Sequence, residues 1–274
     1  MSRILETRSV EKPWGVEHLP PPFASKPGEK IGEIWFEPPP ELPELLVKYI
    51  FTSEALSVQV HPTDAQTQAK GLGRQGKEEC WLIVSAQCDA KLGIGFVEDI
   101  GAEAMRAAAL DGSIENKLRW YPVKPGDFFY IPANTVHAIG AGVGLIEVQQ
   151  NSDITYRLYD YGRARELHLD DSVAVAKGEP YAAHWHKHVA QTGAASLVDG
   201  PLFKLEQYDG PLPGDVADQF GTGPLLVIPR SHGTRVGGSA VEPGQCALAD
   251  TLADVVLAQG ALGLMAQPLA AARR

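Results

Sequence analysis

Residues 126 to 137 read Gly-Asp-Phe-Phe-Tyr-Ile-Pro-Ala-Asn-Thr-Val-His, and no other stretch constrains the fold as tightly. Gly126 suits a turn, the apolar run Asp127–Ile131 suits a strand, and Pro132 ends it because proline cannot donate to a ladder. Asn134 tolerates a left-handed turn conformation, which bends the chain and aims His137 back toward the sheet. Upstream, Gln59-Val-His61 places two further donors on one strand face, since residues i and i+2 of a strand point the same way. Val58 and Val60 then face the opposite side and are free to pack. Glu79 opens a third strand. Four donors carried on strands read as a metal site inside a small β-barrel.

A lone histidine after an apolar strand is ordinarily a core residue, and a metal needs several donors converging. The motif ending at His137, the pair Gln59 and His61, and a nearby acid together outweigh that bland reading. The acid comes from Gly76-Lys-Glu-Glu-Cys80, whose adjacent glutamates point to opposite faces of an extended chain. Glu79 enters the barrel with Cys80-Trp-Leu82, and Glu78 is the alternative.

Strand-like runs dominate the first two thirds of the chain: Leu45–Phe51, Leu56–His61, Cys80–Ser85, Lys91–Phe96, Asp127–Ile131, Gly144–Gln149 and Thr155–Tyr159. Gly and Pro punctuate them closely, which predicts an antiparallel sandwich or barrel. Ala102–Leu110 is instead a strong helix former with a stop at Asp111-Gly112, and it is expected outside the barrel. Asp170-Asp171 begins a second short helix through Val175. Beyond Gly178, Pro243-Gly-Gln-Cys-Ala-Leu-Ala249 echoes the turn and strand of Pro125–Ile131 without a matching His and acid set. The expected fold is all-β: a metal-binding jelly-roll barrel over 1–178 with a helical insertion near 99–119, and a smaller degenerate barrel over 179–274 that carries no metal.

The formal net charge is −10 with no basic tract. Nucleic acid and anionic membranes are excluded as expected partners, because both require clustered Lys and Arg. The three cysteines (Cys80, Cys88, Cys246) lack CxxC spacing and read as free thiols in a reducing cytoplasm. Neither a signal-like apolar stretch near Met1 nor a run of about 18 apolar residues is found, so a cytosolic chain is expected.

The stretch from Gly126 to His137 resembles the second motif of the cupin superfamily, with Asn134 standing where glycine is usual. Closer still, Lys12-Pro-Trp-Gly15, Gly32-Glu-Ile-Trp35, Leu56-Ser-Val-Gln-Val-His-Pro62, Gly76-Lys-Glu-Glu-Cys-Trp81, Ile146-Glu-Val-Gln-Gln-Asn-Ser-Asp153 and Thr155-Tyr-Arg-Leu-Tyr-Asp-Tyr-Gly-Arg163 resemble type I mannose-6-phosphate isomerases in their compact bacterial form. The resemblance is dense from Lys12 to Arg165 and loose beyond. It implies one zinc ion per chain on Gln59, His61, Glu79 and His137, with Arg157 as the active-site arginine and Lys77, Glu147 and Asp153 lining the pocket. It implies a phosphosugar substrate and leaves monomer and homodimer both open. Lys77 and Asp153 are the candidates for carrying the proton, and Lys77 in that role needs a lowered pKa. Arg163 is the candidate phosphate contact, since a guanidinium binds phosphate through paired hydrogen bonds.

Two other functions compete. His61, His137 and Glu79 match the two-histidine, one-carboxylate set of an iron oxygenase, against which a fourth ligand at Gln59 counts. A sugar-binding cupin without turnover is the third, and it would not need a base beside a metal. Gly140-Ala-Gly-Val-Gly144 reads as a hairpin turn because no helix follows it. His184-Trp-His-Lys-His188 has no acid or Cys beside it and reads as structural.

Overall fold

The computed structural model describes residues 1–218 and 220–269, so residues 270–274 of the expected second unit lie outside the described residues. The protein is built mostly of antiparallel strands. A seven-stranded sheet has the order His186–His188, Asp127–Ile131, Glu79–Ala86, Val143–Gln150, Leu45–Phe51, Ile31–Phe36, Thr7–Val16. Facing it is a five-stranded sheet in the order Tyr156–Tyr159, Val58–Val60, His137–Ile139, Lys91–Phe96, Leu118–Pro122. Trp14, Ile50, Trp81, Ile83, Leu92, Ile94, Phe129 and Leu145 pack between the two. This is the expected jelly-roll, cupin-type sandwich.

Strand alternation sorts the side chains of both sheets. Val58, Val60, Val136, Ala138, Tyr156 and Leu158 turn outward under a helical cover made by Ala102–Asp111, Ile114–Lys117 and Leu169–Val175. Gln59, His61, His137 and Arg157, the intervening residues, turn inward. In the larger sheet Cys80, Leu82, Ile146, Val148, Val47 and Tyr49 face away from the first sandwich. Glu79, Trp81, Glu147 and Lys48 therefore face into it.

The outward face of the seven-stranded sheet does not meet water. It packs on a six-stranded sheet containing Phe203–Asp209, Leu225–Pro229 and Leu262–Pro268, through Phe203, Leu205, Leu226, Ile228 and Leu264. A three-stranded sheet closes the far side of that layer. The chain crosses between these layers twice. Arg3–Ile4 pairs with Ala247 and Leu248 in the six-stranded sheet, whereas His186–His188 pairs with Asp127–Phe129 in the seven-stranded one.

Several local expectations are met at residue level. Leu45–Phe51, Lys91–Phe96 and Asp127–Ile131 are strands with the expected bounds. Asn134 is left-handed at φ 71°, and Gly112 ends its helix at φ 81°. The strands Thr7–Val16 and Ile31–Phe36 were not expected. They lie beside the proline runs at 20–22 and 38–40, and Thr7–Val16 is largely exposed along its first half, so no clean period-2 pattern marks it. Among the described residues no helix is long and apolar enough to cross a membrane.

Candidate metal centre and its cavity

Two rows of side chains face each other across the sandwich. In the five-stranded sheet Gln59 lies between two cross-strand partners, His137 on one side and Arg157 on the other. In the seven-stranded sheet the row runs Trp35, Lys48, Glu147, Trp81, Phe129 on five neighbouring strands. Directly opposed residues of paired strands have Cβ atoms about 5 Å apart, so each row is a continuous set of contacts. A cavity of about 300 Å³ opens between the rows, lined by Gln59, Lys77, Glu79, Glu147, Asp153 and Arg157 among others.

His61, Glu79 and His137 are buried, and their ligand atoms lie within 4.8 Å of one another. The Nδ1 atom of His61 lies 2.8 Å from the Ile154 carbonyl, and that of His137 lies 2.9 Å from the Thr135 carbonyl. A carbonyl only accepts, so both rings carry their proton on Nδ1 and turn the Nε2 lone pair inward. Those lone pairs face the Glu79 carboxylate, at 3.6 Å from His61 and 3.3 Å from His137. Among the described residues neither oxygen of Glu79 accepts an aligned hydrogen bond. Two inward lone pairs converge on a buried carboxylate whose cationic neighbour is Lys77, at Oε2, and a metal ion among the three would satisfy all of them, so this donor set fits one.

Electrostatics favour the same protonation states. Burial pushes His137 down to about 4 and, together with Lys77 and His137, holds His61 well below its ordinary value; both imidazoles are therefore neutral. Burial pushes the Glu79 carboxyl up against the opposing pull of Lys77. Lys77 Nζ lies 2.6 Å from Glu79 Oε2 and 3.3 Å from His61 Nε2. Burial lowers the Lys77 ammonium, but Glu79 and Glu147 outweigh it, and the net shift is upward. The lowered pKa that a base role requires is thus absent while Glu79 is its partner.

Gln59 Nε2 lies 3.3 Å from His137 Nε2, and Gln59 Oε1 lies 3.0 Å from Ser57 Oγ. Rotating the amide by half a turn would present its oxygen to the donor set and let its NH₂ donate to Ser57. Glu78, the alternative acid, instead accepts the hydroxyl of Tyr130 and stays out of the group.

Glu147 is 2% exposed; Trp81 Nε1 donates to it at 2.9 Å, and the Lys48 ammonium forms an ion pair with it at 3.0 Å. Burial raises its carboxyl, but Lys48, Lys77 and the Trp81 N–H prevail and hold it well below its ordinary value. Asp153 lines the cavity from an exposed position. Arg157 Nη1 donates to the Glu166 carbonyl at 2.7 Å, and its buried Nε has no partner among the described residues. Arg163, expected at the phosphate, is not among the lining residues. Its guanidinium is committed to Asp160 and to the Ala55 carbonyl, at 2.9 and 2.7 Å.

Sequence reasoning overlooked Lys48, Trp35, Lys12, Glu33 and Arg165, which also line the cavity. Lys48 had a legible signal: it is the one charge in the otherwise apolar run Leu45–Phe51. The histidines at 184, 186 and 188 do not converge. His186 stacks on Phe129 at 4.2 Å, and His188 pairs with Asp127 at 2.8 Å.

Facing antiparallel sheets with a two-histidine, one-carboxylate group between them give the chain a cupin-type fold with a candidate metal centre. No family model matches the chain. Over 175 residues, 60% of its length, it is 39% identical to mannose-6-phosphate isomerase ManA of Bacillus subtilis strain 168, and the match covers 55% of that protein. Over 193 residues, 67% of its length, it is 38% identical to mannose-6-phosphate isomerase of Streptococcus mutans serotype c, covering 59% of it. The chain thus spans little more than half the length of the curated relatives it matches. Among solved structures, the mannose 6-phosphate isomerase from Bacillus subtilis aligns with a TM-score of 0.74 and 23% identity, over 96% of this chain and 98% of that one. A variant of the Salmonella typhimurium phosphomannose isomerase aligns with a TM-score of 0.70 and 14% identity, over 98% and 100% of the two chains. The resemblance to mannose-6-phosphate isomerases read from the sequence is borne out: the chain is similar to them over the matched stretch and shares their fold.

Proposed function

We propose that the protein is an aldose–ketose isomerase interconverting mannose 6-phosphate and fructose 6-phosphate, with one zinc ion on Gln59, His61, Glu79 and His137. The observation that carries this reading is the buried group of His61, Glu79 and His137 beside a cavity that Gln59, Glu79 and Arg157 line. The sequence similarity to enzymes of that name supports it.

Isomerisation moves a proton between C1 and C2 through an enediol, and the cost is the negative charge that develops on the two oxygens. A divalent ion bound by these donors would supply Lewis-acid stabilisation of that charge. Arg157, next to Gln59, offers a permanent positive charge to the same oxygens. Lys77 and Asp153 are the candidates for carrying the proton; both line the cavity, and only Lys77 is buried. Glu147 orients Lys48 and Trp81 on the opposite wall.

The proposal extends to the organisation of the chain: 1–178 forms the catalytic unit and 179–274 a supporting one, in a cytosolic protein. The test is a coupled assay on mannose 6-phosphate with metal analysis, with and without a chelator. Conversion that is lost on chelation and restored by zinc supports the reading. Metal-replete protein that leaves the sugar phosphate unchanged, or that takes up oxygen with iron bound, sinks it.

A further inference from the structure

The charges lining the cavity divide unevenly. Each lysine has its own glutamate: Lys12 with Glu33 at 3.4 Å, Lys48 with Glu147 at 3.0 Å, Lys77 with Glu79 at 2.6 Å. The two arginines, Arg157 and Arg165, pair with no acid of the cavity lining among the described residues. Both belong to the segment around and after the strand Tyr156–Tyr159, which turns at Tyr161 and Gly162 (φ 54° and 75°) and folds back until His168 N bonds Arg157 O. That return brings Arg165 to the wall beside Arg157.

Asp160 sets the direction of the Arg165 guanidinium, whereas that of Arg157 is held by the Glu166 carbonyl. Asp160 is 2% exposed and lies behind the wall, and its single carboxylate serves both Arg163 and Arg165. Arg165 donates to it twice, through Nε and Nη2 at 2.6 Å each, in a two-point fork that fixes the plane of the guanidinium. That leaves Arg165 Nη1 with no acceptor among the described residues. Arg163 shares the carboxylate but turns its other nitrogen to the Ala55 carbonyl. Three arginines around one buried acid leave an excess of positive charge, and only Arg157 and Arg165 show it to the cavity.

We propose that Arg165, oriented by Asp160, binds the phosphate of the substrate and so makes the site select phosphorylated over unphosphorylated hexoses. This rests on the isomerase reading above and moves the phosphate contact from Arg163 to Arg165. A tetrahedral dianion is the chemistry that fits: it has enough oxygens to accept from the free edge of a fixed guanidinium, and enough charge to relieve the crowding with Arg157. Asp160 is a positioning residue, acting through Arg165.

The test measures binding of inorganic phosphate by calorimetry and steady-state kinetics on mannose 6-phosphate and on mannose, using metal-replete wild type, Arg165→Ala and Asp160→Asn. For Arg165→Ala the phosphate dissociation constant and the KM for mannose 6-phosphate are expected to rise about 10- to 100-fold, as for loss of a charge-assisted contact. The ratio of kcat/KM between mannose 6-phosphate and mannose should fall by a similar factor. Asp160→Asn should weaken phosphate in the wild type and add little on top of Arg165→Ala, the signature of coupling. Where Arg165→Ala does not fold, Arg165→Met keeps the packing of the stem and is read in its place. Phosphate affinity and KM within about twofold of wild type, in a variant with normal melting temperature and metal content, overturn the assignment. Wild type that binds phosphate through Arg165 but leaves mannose 6-phosphate unconverted upholds the anion site and removes the isomerase reading. Turnover of mannose 6-phosphate with an unchanged KM in Arg165→Ala does the reverse.

Discussion

Gln59 and Arg157 stand opposite each other on paired antiparallel strands, and both face the cavity. A candidate ligand and a fixed positive charge are thereby held at neighbouring positions of one sheet, where backbone hydrogen bonds set their spacing. Strand-borne groups are positioned more rigidly than loop-borne ones, which suits stabilisation of charge in a transition state.

Replacing Arg157 with Ala tests this arrangement. Turnover is expected to fall about 10²- to 10³-fold, the usual range for losing one charge-stabilising donor. Metal content should remain that of the wild type, because Arg157 donates to Glu166 O and not to the metal-site residues. Activity within tenfold of wild type would remove Arg157 from the chemistry.

Metal removal should act on stability as well as on activity. The carboxylate of Glu79 and the inward lone pairs of His61 and His137 converge, and without a metal ion it is chiefly Lys77 that offsets their repulsion. At a free zinc concentration about 100 times the dissociation constant, binding adds about 2.7 kcal/mol of stability. The melting temperature should rise with added zinc in the wild type and hardly respond in His137→Ala. An identical zinc response in both would mean the ion binds elsewhere.

Lys48 and Glu147 form a buried ion pair, 6% and 3% exposed at their side chains. Removing one partner of such a pair costs about 3 to 5 kcal/mol, because the other charge is left without compensation. Lys48→Met should therefore lower the denaturant midpoint strongly. Adding Glu147→Gln should recover part of the loss, and strict additivity of the two substitutions would show that the pair is not coupled.

At the surface, hydrogen bonds from Arg3 draw the Glu41 carboxyl down to about 2. The unfolded value is about 4.3, so between about 4.3 and 2 the unfolded chain binds more protons than the folded one. The stability from this pair is present above about pH 4.3 and is lost as pH falls toward 2. The pair is solvent-exposed, and salt should weaken the effect. NMR titration of Glu41 in wild type and Arg3→Ala checks it; an ordinary carboxylate midpoint in the wild type would refute it.

The histidine motif and the pair Gln59 and His61 are legible in the chain itself because strand alternation is local. Two residues apart means one face, whatever the rest of the chain does. The acid is legible only as a choice between Glu78 and Glu79, which the pairing of Glu79 with Gln149 and Ile131 decides. The sequence pointed to Arg163 for the phosphate, where the fold turns Arg165 inward, because this loop has no period to read. Asp160 and the left-handed pair Tyr161 and Gly162 choose which arginine faces the cavity.

The order of residues along the chain set which side chains share a strand face, where the turns fall, and that polar donors alternate with packing residues. It did so because steric and hydrogen-bonding rules act between near neighbours. Which faces meet came from the packing of distant segments: His137 and Arg157 flank Gln59, Glu79 opposes them, and Arg3–Ile4 joins a sheet near the other end of the chain. Those contacts join residues far apart in sequence, and their register comes from whole sheets packing together.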